Sequence, residues 1–325
     1  MGNANSTIEN CYSIGTVSGS DTAPIWRYVD NSLNEGNATN NWTASDGQGS
    51  KITGTMLTDG ELCYKLGAAF TQDLSQTSYP TFGSKTVTAG KWFNDTNNDV
   101  YYNEENGNYT VYQLNMSDTN TKYEVPANVT AKNVSIARTI PSGQWIGLCL
   151  PFALETIPSG WDVRELTSVT GSGETASMKF SSASTIEAGK PYIVKPDAEV
   201  PSITATDKEI ATAASTVSNG GVNMIGNFAQ TSISQGNFYI NTSSQLKKLS
   251  VASANLKGFR AYFTAESSGG VKALSFDFDD DATGISLMED GRSQMEDGAI
   301  YNVAGQRINK IQRGINIVNG RKVLF

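Results

Sequence analysis

The chain has 325 residues, enough for two or three domains, and its 24 Lys and Arg residues against 32 Asp and Glu give a net charge of −8. This acidic balance argues against nucleic acid or an anionic membrane as a partner, because both attract positively charged proteins. Histidine is absent, which excludes Ser-His-Asp triads and His-ligated metal sites. Only 17% of the residues are charged and 31 are glycine, a composition typical of β-structure with many turns.

The first 84 residues combine a short β-segment, polar loops and one helix. Residues 7–20 alternate polar and apolar side chains with glycines at the corners, which predicts a pair of short strands. Residues 21–55 are polar and carry little periodicity, so we expect loops there.

The chain has three cysteines, Cys11, Cys63 and Cys149, an odd number without a C-x-x-C pair. We expect the three cysteines to be buried as small hydrophobic side chains, and a Cys11–Cys63 disulfide stays an alternative.

A helix is predicted over residues 59–67. Thr58 and Glu61 are three positions apart before an apolar segment, which is the spacing of a capping box. The spacing of Leu62, Leu66 and Phe70 predicts one apolar face, packed against the surrounding β-structure.

Residues 85–281 predict an antiparallel β-sandwich, because strand-like segments follow one another with turns and without a helical period between them. The apolar run over residues 144–154 predicts a strand that is buried on both faces. Residues 282–325 predict a linker followed by a C-terminal β module. Its last two strands are joined by Asn319 and Gly320, and Asn-Gly between apolar strands is a strong hairpin signal. No apolar run has the length of a membrane-spanning helix, so we expect no membrane insertion.

Several segments resemble large secreted or surface proteins of Bacteroidetes. Residues 8–19 (IENCYSIGTVSG) resemble one unit of the GLUG repeat of bacterial surface proteins and adhesins, without the unit's later Gly-Leu-x-Gly. Residues 59–66 with Tyr79-Pro80 are similar to the segment that follows such repeats. Further similarities to the β-domain of these proteins lie in residues 138–152, 188–192 and 258–263. The tail, residues 300–323, is similar to their C-terminal module, which itself resembles the sorting domains of type IX secretion.

The residue patterns predict an all-β protein with an antiparallel β-sandwich or sandwiches, one short helix and a C-terminal β-hairpin module, and the resemblance adds an N-terminal β-solenoid-like remnant. It also implies a secreted or cell-surface (outer membrane) bacterial location. We therefore expect three domains: the remnant with its loops and helix in residues 1–84, the sandwich in 85–281, and the linker with the C-terminal module in 282–325.

Two groups of residues are candidate sites. Asp95, Asn97 and Asp99 form the D-x-N-x-D beginning of a calcium loop, in which oxygen ligands two positions apart converge on one cation. However, the loop continues with Val100 and Asn106 where glycine and glutamate are usual, and a polar turn is the alternative. The second group consists of aromatic side chains in or beside polar loops, where they can stack on sugar rings or pack inwards. These are Trp26, Trp42, Trp92, Tyr101, Tyr102 and Tyr112.

The favoured function is a noncatalytic one in adhesion or envelope display, with a host or dietary glycan or a matrix protein as partner and no cofactor other than Ca²⁺. The alternative is a carbohydrate-binding module of a polysaccharide-handling system. A glycoside hydrolase that uses two carboxylates is the third hypothesis. We expect no enzyme, because histidine is absent and no motif singles out a carboxylate pair.

Overall fold

The computed structural model describes residues 8–14, 38–39, 41–44, 50–94, 99–171, 175–265 and 273–278, and in the C-terminal part 300–302, 307–308, 315–318 and 321–324. These residues form many β-strands and one short helix, which confirms the all-β class. The chain divides into two compact units. One comprises residues 1–138 and 202–212, the other residues 139–201 and 213–325.

The strands are numbered in chain order. The first eleven are β1 (Ile8–Glu9), β2 (Tyr12–Ser13), β3 (Ala38–Thr39), β4 (Trp42–Thr43), β5 (Ser50–Lys51), β6 (Phe70–Thr71), β7 (Thr81–Phe82), β8 (Thr88–Gly90), β9 (Val100–Glu105), β10 (Asn108–Ser117) and β11 (Val129–Ala137). Next come β12 (Ile146–Cys149), β13 (Trp161–Thr170), β14 (Thr175–Ser182), β15 (Pro191–Pro196), β16 (Ile203–Ile210), β17 (Thr216–Asn219), β18 (Val222–Asn227) and β19 (Thr231–Ser234). The last are β20 (Phe238–Ile240), β21 (Leu246–Lys248), β22 (Ser253–Leu256), β23 (Arg260–Ala265), β24 (Ala273–Phe278), β25 (Ile300–Asn302), β26 (Arg307–Ile308), β27 (Ile315–Val318) and β28 (Arg321–Leu324).

The N-terminal strands pair in parallel and over long stretches of chain. β1 pairs with β3, and β2, β4 and β5 form a three-stranded sheet. The prediction that the two strands in residues 7–20 pair with each other was therefore wrong. Their partners come from residues 38–51, where loops were expected. Parallel pairing needs a long connection, so local alternation of residues does not reveal it. Short parallel strands stacked in this way are typical of β-solenoids.

The helix α1 (Glu61–Leu66) is shorter than predicted. Its first residue follows Gly60, whose φ of 97° is left-handed, and no side chain caps it at that position. The predicted capping box was wrong: the Thr58 hydroxyl donates to the carbonyl of Thr55 at 3.2 Å, while Asp59 Oδ1 accepts the N–H of Glu61 at 2.9 Å. The predicted apolar face is confirmed for Leu62 and Leu66, which are buried in one cluster. Phe70 is buried in the same cluster but belongs to β6, after the helix has ended. The other buried members are Met56, Cys63, Leu74 and Val87.

The first unit also contains a five-stranded sheet, with the strand order β16-β11-β10-β9-β8. Its neighbours are antiparallel except β10 and β11, which run in parallel from Tyr109 opposite Val129 to Ser117 opposite Ala137. Beside it, β6 and β7 form a two-stranded sheet. Asn103 of β9 bonds to Gln72 and Leu74, so contacts cross residue 84, where a domain boundary was predicted. The predicted boundaries themselves stay a prediction.

The second unit contains a β-sandwich. One sheet has the order β12-β15-β13-β14-β24 and the other β17-β18-β23-β20-β21. Their facing side chains form one core, with members such as Phe180 and Ile193 from the first sheet and Met224 and Phe263 from the second. All four residues of β12 are buried, which confirms the prediction for the apolar run around it. A further pair, β19 with β22, completes the sheets up to residue 278.

The C-terminal strands form a sheet with the order β26-β25-β27-β28. Val318 pairs with Arg321, which confirms the predicted hairpin. The predicted linker, residues 282–296, lies outside the described residues. Among the described residues, no helix has the length and hydrophobicity that would let it cross a membrane.

Candidate aromatic binding site

Three of the aromatic side chains of the first unit form one cluster at the β8–β9–β10 end of the five-stranded sheet. The rings of Trp92 and Tyr102 are stacked, with centroids 5.3 Å apart and planes inclined by 26°. Tyr109 meets both rings edge-on, at 6.4 Å from Trp92 and 5.4 Å from Tyr102. Trp92 is buried at 6% exposure, whereas both tyrosines are half-buried. The tryptophan therefore supports the cluster, and the tyrosines present it to solvent.

Strand register brings the cluster together. Thr88 lies opposite Tyr102, and Tyr109 lies opposite Glu104, so Thr88, Tyr102, Glu104 and Tyr109 occupy one face of the sheet. The main chain of Trp92 is fixed as well, because its carbonyl accepts the N–H of Glu124 at 2.8 Å.

Gly90 makes room for the two stacked rings. A Cβ atom at this position would lie 2.7 Å from Trp92 Nε1 and 3.2 Å from a ring carbon of Tyr102, closer than van der Waals contact allows. A residue without a side chain is thus required where the indole crosses β8.

A polar cleft of about 460 Å³ lies beside this cluster on the same sheet. Thr88 and Glu104, which share the face of the two tyrosines, line it together with Ser84, Lys85, Thr86 and Glu105. Lys85 is held by an ion pair of 3.0 Å with Asp73. The cleft therefore offers hydroxyl and carboxylate groups next to an aromatic surface.

The surroundings of Tyr102 keep its phenol protonated. Burial, followed by the nearby Tyr109 and Glu104, raises the pKa of the Tyr102 phenol above its ordinary value of 10.0. Tyr102 thus stays protonated and retains a hydroxyl donor at physiological pH. An apolar ring with a polar rim is the surface that a sugar ring fits, with its C–H face on the aromatic and its hydroxyls on the rim.

The other predicted aromatic residues lie elsewhere. Tyr101 leaves β9 on the opposite face from Tyr102, and its ring contacts Tyr64 with centroids 5.7 Å apart. Trp42 packs beside the α1 core, and the ammonium of Lys65 lies 4.8 Å from its ring centre. The Tyr112 hydroxyl bonds to that of Thr77 at 2.9 Å. Trp26 lies outside the described residues.

The calcium prediction rests mainly on residues that are not described. Asp95 and Asn97 lie outside the described residues, and Asp99 forms an ion pair of 3.3 Å with Lys91. Within the described ranges, no three Cys, Asp or Glu side chains are grouped so that they could hold a metal ion. Calcium binding by this loop stays a prediction.

Sequence reasoning missed Tyr109, Thr88 and Glu104. The signal for Tyr109 was present in the Asn106-Gly107 turn, which joins two strands and places residue 109 opposite 104. Thr88 could not be found in this way, because the segment between β8 and β9 gives no register.

The chain was compared with protein-family models, with curated proteins and with solved structures, and none of the three comparisons gave a match.

Proposed function

We propose that this chain belongs to a secreted or surface-displayed bacterial protein and acts without catalysis, in adhesion or envelope display, by binding a glycan. One observation carries the proposal: Tyr102 and Tyr109 present half-exposed rings beside a cleft of hydroxyl and carboxylate groups. Sugar rings are recognised by such a combination of apolar platform and polar rim. The sequence resemblance to surface proteins with GLUG repeats supports the cellular location.

A noncatalytic role is favoured over hydrolysis by the placement of the acidic residues in the cleft. Glycosidases need two carboxylates on either side of the scissile bond. Glu104 and Glu105 are neighbours in β9, and successive side chains of a strand leave on opposite faces. They therefore do not face each other across a bound sugar.

The test is an array of neutral and acidic glycans and of matrix proteins, probed with the whole chain. We expect saturable binding to a glycan and a loss of about tenfold or more in Tyr102→Ala, since stacking on a ring is worth about 1–2 kcal/mol. Tyr239→Ala, a half-buried tyrosine of β20 in the other unit, is the matched control and should bind as the unchanged chain does.

Three results would overturn the proposal: no glycan bound, equal binding by Tyr102→Ala, or release of reducing ends from the bound glycan. A second array with EDTA in place of calcium separates the roles of two sites. Loss of binding in EDTA would assign a part to Asp95, Asn97 and Asp99, and unchanged binding would assign recognition to the aromatic cluster alone.

A further inference from the structure

A groove of about 420 Å³ crosses the strands β10, β11 and β16. Two rows of polar side chains line it, at positions that the strand register sets. In one row Asn133 lies between Gln113 and Thr206. In the next row Ser135 lies opposite Thr204. Because neighbouring strands are about 4.8 Å apart, a row over three strands spans roughly 10 Å.

The groove and the aromatic cluster lie on opposite faces of this sheet. Tyr109 and Val111 point to one face of β10, since they are two residues apart. The fully buried Leu114 lies on that face as well, three residues beyond the fully buried Val111, so the alternation of side chains breaks between them. The register skips Tyr112 at this point. Gln113, the neighbour of Leu114, therefore points to the other face, away from the cluster.

The break in alternation continues across the two neighbouring strands. The register also skips Lys132 in β11 and Asp207 in β16, and Asp207 has a left-handed φ of 53°. A β-bulge of this kind bends the strand that carries it, which accounts for a concave surface on the sheet. Here Lys132 and Asp207 form an ion pair of 2.7 Å with each other, so their charges offset. The lining of the groove is itself uncharged, although the chain carries a net charge of −8.

The hydrogen-bonding groups of the groove are open to a ligand. Three hydroxyl groups of the lining make no hydrogen bond with another described residue, those of Ser135, Thr204 and Thr206. Gln113 donates one N–H to Asn115 at 2.9 Å, and Asn133 donates one to the carbonyl of Tyr112 at 3.1 Å. Each of these two amides keeps a second N–H and its carbonyl oxygen. The groove thus offers both donors and acceptors.

A neutral ligand with many hydroxyl groups fits this lining. A peptide strand cannot add to β11, because β10 and β16 pair with it on its two sides. A charged ligand would find no opposite charge among the lining residues. The hydroxyl groups of a neutral sugar, in contrast, donate and accept hydrogen bonds, as the amides and hydroxyls of the groove do.

We infer that the groove is a separate binding site for a neutral polysaccharide, so that one sheet holds two glycan chains at once, one on each face. The inference rests on the proposed function for the site at Tyr102 and Tyr109. It adds the class of ligand, a neutral glycan, and a consequence: a chain with a site on each face cross-links the polysaccharide that it binds.

The first experiment is calorimetric titration with cello-, xylo- and mannohexaose and, as a charged sugar, the hexamer of galacturonic acid. The groove variant is Thr204→Val combined with Thr206→Val, which removes two hydroxyls at exposed positions of β16. The matched control is Thr216→Val combined with Ser218→Ala, which removes two hydroxyls at exposed positions of β17 in the other unit. Melting curves establish that the variants are folded, and Ser135→Ala replaces the groove variant if it is not.

We expect the unchanged chain and the control to bind two molecules of a neutral hexasaccharide. In the groove variant one of the two sites should weaken about tenfold, because two hydrogen bonds are lost, and the other should keep its affinity. Tyr102→Ala should weaken the other site and spare the groove. The second experiment follows the turbidity of a soluble polymer of the same sugar. Each of these two variants should need about tenfold more protein than the unchanged chain to make the polymer turbid.

The outcomes separate the two proposals. One bound hexasaccharide per chain, with the same affinity in the groove variant, would overturn the separate site and leave the proposed function standing. Binding of the galacturonic acid hexamer, weakened in the groove variant, would overturn the assignment to a neutral ligand. Absence of binding by every sugar, in the unchanged chain and in the variants alike, would overturn both proposals.

Discussion

The indole ring of Trp92 stacks on the phenol ring of Tyr102, and the pair fits against β8 because residue 90 is glycine. A segment from the β8–β9 connection and a residue from β9 are thereby fixed in one arrangement. Since Trp92 is buried and Tyr102 is half-exposed, the stability of the fold and the shape of the candidate binding surface depend on the same contact.

Gly90→Ala should therefore lower the free energy of unfolding by about 1–3 kcal/mol, because the new methyl group overlaps the indole. The cost should be smaller in a Trp92→Phe background, where the atom nearest to the methyl group is gone. Chemical denaturation of the single and double variants measures this coupling. Additive losses would contradict the proposed contact between residues 90 and 92.

Asn103 should be among the most sensitive polar residues of the first unit. Its side chain is buried, accepts the N–H of Leu74 at 2.9 Å and donates to the carbonyls of Gln72 at 3.0 Å and Thr86 at 3.1 Å. Asn103→Ala leaves these groups without partners inside the protein, and we expect a loss of about 3 kcal/mol in unfolding free energy. Asn115→Ala, exposed on β10, is the control and should cost less than about 0.5 kcal/mol.

The start of α1 allows a direct choice between the capping box and the observed geometry. Asp59→Ala removes the acceptor for the Glu61 N–H and the bond of 2.6 Å from the Thr55 hydroxyl, so it should cost about 1 kcal/mol. Thr58→Ala removes only a bond to the Thr55 carbonyl at the surface and should change stability by less than about 0.5 kcal/mol. Urea titrations compare the two, and a larger effect at Thr58 would favour the capping box.

Acid should destabilise the first unit partly through Asp73. Hydrogen bonds from Ser75, with further help from Lys85, lower the pKa of the Asp73 carboxyl from its ordinary value of 3.8 to about 2. The unfolded chain therefore binds a proton at this residue before the folded chain does. The stabilisation is complete above about pH 4 and is lost as the pH falls towards about 2.

Asp73→Asn tests this expectation, because the amide does not titrate. The variant should have a lower melting temperature than the unchanged chain at neutral pH and about the same one at about pH 2. Its melting temperature should therefore fall less steeply as the pH is lowered. Glu209→Gln, at an exposed position of β16, is the control, and its melting temperature should change with pH as that of the unchanged chain does. If the melting temperatures of Asp73→Asn and the unchanged chain fall equally with pH, Asp73 does not contribute to the acid destabilisation.

Local patterns in the sequence predicted several elements correctly. The apolar run around β12 is a strand with four buried residues because a segment without polar side chains has no face to turn to water. Leu62 and Leu66 share a core because their spacing places them on one side of α1. β27 and β28 pair as a hairpin, as the Asn-Gly sequence between them predicts.

The parallel strand pairs and the grouping of the aromatic rings were decided by the tertiary structure, because both depend on which distant segments meet. Parallel pairing of β10 with β11 and of the N-terminal strands connects residues without a tight turn between them, so no short motif announces it. Trp42, Trp92, Tyr101 and Tyr102 all belong to polar, aromatic-rich segments, yet Trp92 stacks on Tyr102, whereas Trp42 and Tyr101 pack against the core around α1. Strand alternation separates Tyr101 from Tyr102, and pairing across β8, β9 and β10 supplies Thr88 and Tyr109. The composition indicates β-structure and excludes histidine chemistry, whereas strand register and the β8–β9 connection that carries Trp92 decide which aromatic rings form a surface.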